Sequence, residues 1–210
     1  MKHMKKPLLL IILVLVIDQL SKIYIKTHFI QYESIKVMGW DWFQIYFVQN
    51  NGMAWGAEIG GKTGKFILTT FRLLAVGGIF YWLYQTVKHH KHSLLVFSIA
   101  LIFAGAVGNI IDSLFYGMIF NDPVNVPATL FAENPYGTFF HGKVVDMFYF
   151  PIIKHQLIPE WIPWIGGKRF TFFNAIFNVA DSAITIGVSI MLLFNKRIFN
   201  HQTQELEADS

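Results

Sequence analysis

The sequence predicts an all-α membrane protein with four transmembrane helices, a small extracytoplasmic β element and long aromatic-rich outer loops. Three observations carry that prediction. Of the 210 residues, 54% are hydrophobic and only 14% are charged, whereas a soluble domain carries roughly 25% charged residues. Mean hydropathy is +0.44. The apolar residues gather in four stretches, about 7–25, 66–87, 94–111 and 175–194. Each approaches the ~20 residues that cross a hydrocarbon core at about 1.5 Å rise per residue.

The first stretch follows "MKHMKK" in the manner of a secretory leader, but "DQLSKIYIK" follows its apolar core where a small-x-small cleavage site would stand. It reads as an uncleaved first span. Beyond it, Phe43, Ile45 and Phe47 alternate with Gln44, Tyr46 and Val48, a short strand ending at a glycine-containing turn in "NNGMAWG". The third span carries Gly105 and Gly108 three residues apart, a spacing that lets helices approach closely. The connection 112–174 is rich in aromatics and prolines, with Trp161 and Trp164 suited to the headgroup layer. An even number of spans puts both termini on one side. The basic segments "MKHMKK", "KHHKHS" and "NKR" share that side, which marks it as cytoplasmic; Lys22, Lys26, Lys62 and Lys65 on the other side moderate the bias. The tail "HQTQELEADS" reads as polar and frayed. With no internal repeat and no linker, 1–210 reads as a single domain.

Composition excludes several function classes. The formal charge is +4, but Lys and Arg are dispersed, with no basic helix and no aromatic–basic alternation, so no nucleic-acid partner is expected. Anionic lipid headgroups fit better. There is no cysteine, hence no disulfide, thiolate metal site or thiol nucleophile. The histidines of "KHHKH" lie on the cytoplasmic side, away from the carboxylates, and read as a solvated basic loop. Ser182 has no recognisable histidine or lysine partner. No metal and no cofactor are expected.

The carboxylates are the anomaly. Asp18, Asp112 and Asp181 all fall in apolar runs, where an ionised side chain costs a few kcal/mol on insertion scales and about 10 or more in some simulations. Asp146 sits among Val144, Val145 and Phe148. Asp18 and Lys22 stand at i and i+4 and can pair as a structural unit. Asn109/Asp112 and Asn178/Asp181 stand at i and i+3, so each would present an amide and a carboxylate on one helix face; the amides also suit interhelical hydrogen bonding. Two carboxylates facing each other in a largely dry pocket share a proton. The ionised member then activates water, and the protonated one polarises a carbonyl and later protonates the leaving amine. On these residues alone, two readings stand: an intramembrane carboxylate-dependent enzyme, or a small proton-coupled transporter subunit. A transporter calls for inverted repeats and a midplane site, and neither is visible.

Five blocks resemble those of the lipoprotein signal peptidase (signal peptidase II) family in order along nearly the whole chain: "DQLSK" at 18–22, "NNGMAWG" at 50–56, "GNIID" at 108–112, "VVDMF" at 144–148 and "FNVAD" at 177–181. The resemblance implies a four-span aspartic endopeptidase of the bacterial inner membrane. Its substrates would be prolipoproteins already carrying diacylglyceryl on the cysteine after the signal peptide, cleaved just before that cysteine. It implies Asp146 and Asp181 as the catalytic dyad. Asp18, Lys22, Asn50, Gly108, Asn109, Asp112, Asn178 and Ala180 match the family's other shared positions. It also implies inhibition by globomycin-type cyclic peptides occupying the same site. The chain departs from the family in reading Asp112-Ser113 where Asp-Arg is usual, so Lys143 or Arg169 is expected to neutralise Asp112. The connections 113–143 and 148–176 are longer than the family leads one to expect.

Overall fold

The computed structural model describes residues 4–51, 61–157, 159–164, 166–167, 169–172 and 174–199; the turn at 52–56 and the tail at 201–210 lie outside them. The chain begins with α1 (Lys5–His28), whose apolar side chains point in all directions. Leu9 and Leu20 are exposed on it, as suits a helix solvated by lipid. A β-hairpin follows, β1 (Ser34–Lys36) and β2 (Gln44–Asn50), in the segment where the alternation predicts a strand. Then come α2 (Gly61–Lys88) and α3 (Ser93–Ile111), the latter running on through a π-helical turn (Asp112–Tyr116) into the short α4 (Gly117–Ile119). Four strands follow: β3 (Val144–Tyr149), β4 (Ile153–Leu157), β5 (Arg169–Phe172) and β6 (Ile176–Phe177). The described residues end on α5 (Val179–Leu193) and, beyond Phe194, a helical turn at 195–199.

One expectation is filled out and one is corrected. The small β element expected beside the helices is a four-stranded antiparallel sheet of β1, β2, β3 and β6, in the order β1-β2-β3-β6, and β4 and β5 pair separately. Val144 and Val145, both β-branched, together with Phe148 and Tyr149 favour a pleated, half-buried surface, but a short apolar run carries no period that separates strand from helix. The fourth apolar stretch starts helical structure later than 175. Ile176 and Phe177 pair with Tyr149 and Phe148 of β3, and the helix begins only at Val179. Among the described residues, three helical runs, Lys5–His28, Gly61–Lys88 and Ser93–Ile119, are long and apolar enough to cross a membrane; α5, at 15 residues, is a shorter apolar helix.

Within the bundle α3 packs against α1, α2 and α5. Small residues set the α3–α5 distance: a Cβ on Gly105 would meet the Ala180 carbonyl oxygen at 2.2 Å, and one on Gly187 would meet the Ser98 carbonyl oxygen at 2.7 Å. The predicted close-packing glycine is therefore used. One apolar core lies between these helices, around Ile99, Ala100, Ala104 and Leu83. A second lies between the end of α1 and the sheet, around Phe29, Phe47, Phe120 and Val145. The long connection 120–143 belongs to this second core. Ala128 N–H donates to Lys26 O at 3.0 Å, Gln31 N–H to Pro123 O at 2.7 Å, and Tyr136 N–H to Phe120 O at 2.9 Å. The Lys26 ammonium is fully buried, donates to Gln49 Oε1, and sits 5.3 Å from the Phe120 ring and 4.9 Å from the Tyr136 ring. This tethers the loop to α1 and β2 beside the strand that carries Asp146.

Candidate active site

Polar residues from all five sequence blocks meet where α1 and the end of α3 adjoin the end of β2, β3 and the start of α5. Asn178 is the N-cap of α5 and Asp181 its N3 residue, joined as a capping box: Asp181 N–H donates to Asn178 Oδ1 at 2.9 Å and Asn178 N–H to Asp181 Oδ2 at 3.2 Å. The i, i+3 spacing thus serves a cap, not a shared helix face. It places the Asp181 carboxylate where the positive end of the helix dipole favours it. The same Asn178 reaches the second carboxylate, its Nδ2 donating to Asp146 Oδ1 at 2.8 Å and to Val145 O at 3.2 Å. Asp146 is buried in mid-strand, opposite Val48 of β2, and Asn50 from the end of β2 donates to Asp146 Oδ2. Burial, and after it the neighbouring Asp181 carboxylate, pushes the Asp146 carboxyl up to about 8.

Asn109 orients the other side of the pair. Its Nδ2 donates to Asp181 Oδ1 at 2.8 Å, while its Oδ1 accepts from Lys22 Nζ at 2.9 Å and from Asn178 Nδ2 at 3.1 Å. With a cation on its oxygen, the amide has only one sensible orientation, NH₂ toward the carboxylate. Lys22 is fully buried and bridges two equally buried carboxylates, Asp18 and Asp112, each at 2.9 Å. These carboxylates in turn brace the backbone around the pair. Asp18 Oδ1 accepts from Ala180 N–H at 2.9 Å, and Asp112 Oδ2 from Val145 N–H at 3.3 Å. The predicted Asp18–Lys22 pair forms, and Asp112 joins it from α3.

The expectation for the missing arginine is corrected for Lys143. Lys143 Nζ lies 3.2 Å from Asp122 Oδ2 in a partly exposed pair, so it does not neutralise Asp112, and the Arg169 side chain falls outside the described residues. Both Asp112 oxygens already have donors: Lys22 and Val145 N–H on Oδ2, and Gln19 Nε2 at 3.0 Å on Oδ1. Ser113 is buried and returns its hydroxyl to Asn109 O at 3.0 Å. A single lysine shared between two helices does the work assigned to a second cation.

Gln19 is the residue that sequence reasoning missed. Its amide also donates to Asp18 Oδ2 at 3.0 Å and Gly108 O at 3.2 Å, and its Oε1 accepts from the buried Tyr116 hydroxyl at 3.1 Å. A glutamine next to an aspartate in an apolar helix was the available signal. Gly108 and Ala180 contribute by being small: a Cβ on Gly108 would stand 2.6 Å from Asp18 Oδ2 and 3.2 Å from the Ala180 Cβ. All ten predicted site residues therefore lie in, or brace, one hydrogen-bonded network.

The family model described as "Signal peptidase (SPase) II" matches residues 10–196. The chain belongs to the signal peptidase II family. A lipoprotein signal peptidase of Porphyromonas gingivalis is 47% identical over 186 residues, covering 88% of this chain and 80% of that one. One from Amoebophilus asiaticus is 34% identical, covering 94% and 80%. Among solved structures, a bacterial membrane enzyme determined by the in meso method at 2.3 Å superposes with a TM-score of 0.58 at 26% identity, covering 93% of this chain and 90% of that one. The family cleaves signal peptides from prolipoproteins. The protein is accordingly a peptidase and a multi-pass membrane protein, and the transporter reading finds no support.

Proposed function

We propose that Asp146 and Asp181 are the catalytic dyad of an aspartic endopeptidase acting on diacylglyceryl-modified prolipoproteins just before the lipidated cysteine. One observation carries this reading: a single residue, Asn178, hydrogen-bonds both carboxyl groups, Asp146 through its side-chain amide and Asp181 through its backbone N–H, and the first of these is raised to about 8. At neutral pH the pair then holds one proton, placed on Asp146 by its burial. The Asp181 carboxylate takes a proton from water as that water attacks the scissile carbonyl. Asp146 donates a hydrogen bond to the carbonyl oxygen that becomes the oxyanion. Collapse of the tetrahedral intermediate breaks the C–N bond, and the proton gained by the dyad passes to the leaving cysteine amine. Asn50, Asn109 and Asn178 keep both carboxyl groups in place, and Lys22, Asp18 and Asp112 keep the asparagines and backbone in place. Globomycin-type cyclic peptides would compete for this site.

The same proposal gives a single domain in the bacterial inner membrane with α5 as a fourth span. Helical residues 195–199 lengthen it beyond the break at Phe194. The basic ends and the basic α2–α3 turn support cytoplasmic termini, with the dyad toward the outer face. The test is cleavage by purified protein of a diacylglyceryl-modified prolipoprotein, of its unlipidated precursor, and of the modified substrate with chelator present. Cleavage of the modified substrate alone, unaffected by chelator, is expected. Equal cleavage of the unlipidated precursor, or loss with chelator, would overturn the reading.

A further inference from the structure

The basic turn "KHHKHS" has no part in the peptidase chemistry. From Ser93 to Asp112 along α3 is roughly 28 Å at about 1.5 Å per residue, so the turn stands at the opposite end of the bundle from the aspartates. A cavity of about 450 Å³ opens there between α1, α2 and α3. Its floor is apolar, formed by Leu10, Val87 and Val96, while Lys6, His90 and Lys91 bring nitrogen to its edge. No carboxylate is among its described lining residues. Ser93, the first residue of the 19-residue α3, also lines it, so the positive end of that helix adds to the lysines.

The turn is built stiffly. Lys91 N–H donates to Thr86 O at 3.1 Å and His90 N–H to Val87 O at 3.2 Å, the paired bonds that close a helix in a Schellman motif. His92 then caps α3 by accepting from Leu94 N–H at 3.2 Å. Glycine is the usual residue at the left-handed position of such a turn, yet here it is His90, at φ 49. A side chain is thus held at the cavity edge in a backbone conformation glycine would adopt at less cost.

We infer that this cavity binds one anionic glycerophospholipid, its phosphodiester between Lys6 and Lys91 and the first part of its acyl chains on the apolar floor. Charge complementarity selects the anion. The apolar floor, continued by the 43% exposed Phe97, selects a lipid over a soluble phosphate. Full-length protein in neutral detergent, presented with phosphatidylglycerol, phosphatidylcholine or glycerophosphate, tests this by native mass spectrometry. One phosphatidylglycerol should be retained in preference to the other two. Lys6→Gln with Lys91→Gln should weaken its binding roughly 30-fold, about fivefold per lysine near a charged surface. Lys88→Gln, an exposed lysine of the same turn outside the cavity, should leave binding unchanged. The double variant should keep its unfolding temperature and prolipoprotein cleavage in neutral detergent, so failure of the peptidase reading would show separately. Undiminished binding by the double variant would overturn the site. So would equal retention of phosphatidylcholine or glycerophosphate, or an equal loss with Lys88→Gln.

Discussion

Replacing Lys22 by methionine keeps an unbranched apolar stem of nearly the same length and removes the charged ammonium. In the native protein the ammonium contacts Asp18 and Asp112 at 2.9 Å each, with all three side chains fully buried. The variant leaves two buried carboxylates facing one another, with Gln19 and two backbone N–H groups as their remaining donors. Breaking a buried ion pair by removing one partner costs about 3–5 kcal/mol, and here two anions lose the same cation. Lys22→Met should therefore show a large loss of thermal stability and folded yield in detergent. The loss should be partly recovered by adding Asp112→Asn, because the second substitution removes one of the stranded charges. Lys143→Gln is the comparison: its pair with Asp122 is partly exposed, worth about 1 kcal/mol or less. Wild-type stability in Lys22→Met, no recovery in the double variant, or a larger loss from Lys143→Gln would refute the shared-lysine account.

Two further predictions concern the site's protons and its packing. With Asp146 raised to about 8, the singly protonated pair is present below that pH and lost above it, so cleavage should decline as pH rises through about 8; kcat/KM still increasing at pH ~9 would contradict the proton assignment. Gly108→Ala would bring its Cβ to 2.6 Å from Asp18 Oδ2, a clash expected to cost roughly 1–3 kcal/mol and readable as a lower unfolding temperature; an unchanged temperature would mean that the α1–α3 contact is looser than described.

Much of the site was legible because a charged or amide side chain in an apolar run has few reasons to be there. Asp18, Asp112 and Asp181 stood out against their neighbours, and the i, i+4 spacing correctly paired Asp18 with Lys22. What stayed hidden was anything fixed by contacts between segments distant in sequence. That Lys22 also serves Asp112 depends on α1 and α3 lying side by side, 90 residues apart in the chain, and no local pattern encodes that. Asn178 was recognised as polar, but its role as a cap required knowing that Ile176 and Phe177 leave the helix to pair with β3. An apolar dipeptide before a cap looks the same whether it ends a strand or begins a span. The sheet was half visible, in the alternation of β2, and half concealed in β3, whose apolar residues around Asp146 show no alternation.

The most direct test of the central claim is single-turnover cleavage of a diacylglyceryl-modified prolipoprotein by well-folded Asp146→Asn, Asp181→Asn and the double variant. Asparagine keeps the shape and one accepting oxygen, turns its NH₂ toward the other donor, and cannot cycle between base and acid. Each single variant should lose at least ~100-fold in rate, and the double variant should be scarcely slower, since groups acting as one unit are non-additive. Substantial cleavage by either single variant, or losses in the double variant that multiply, would contradict a shared-proton aspartate pair.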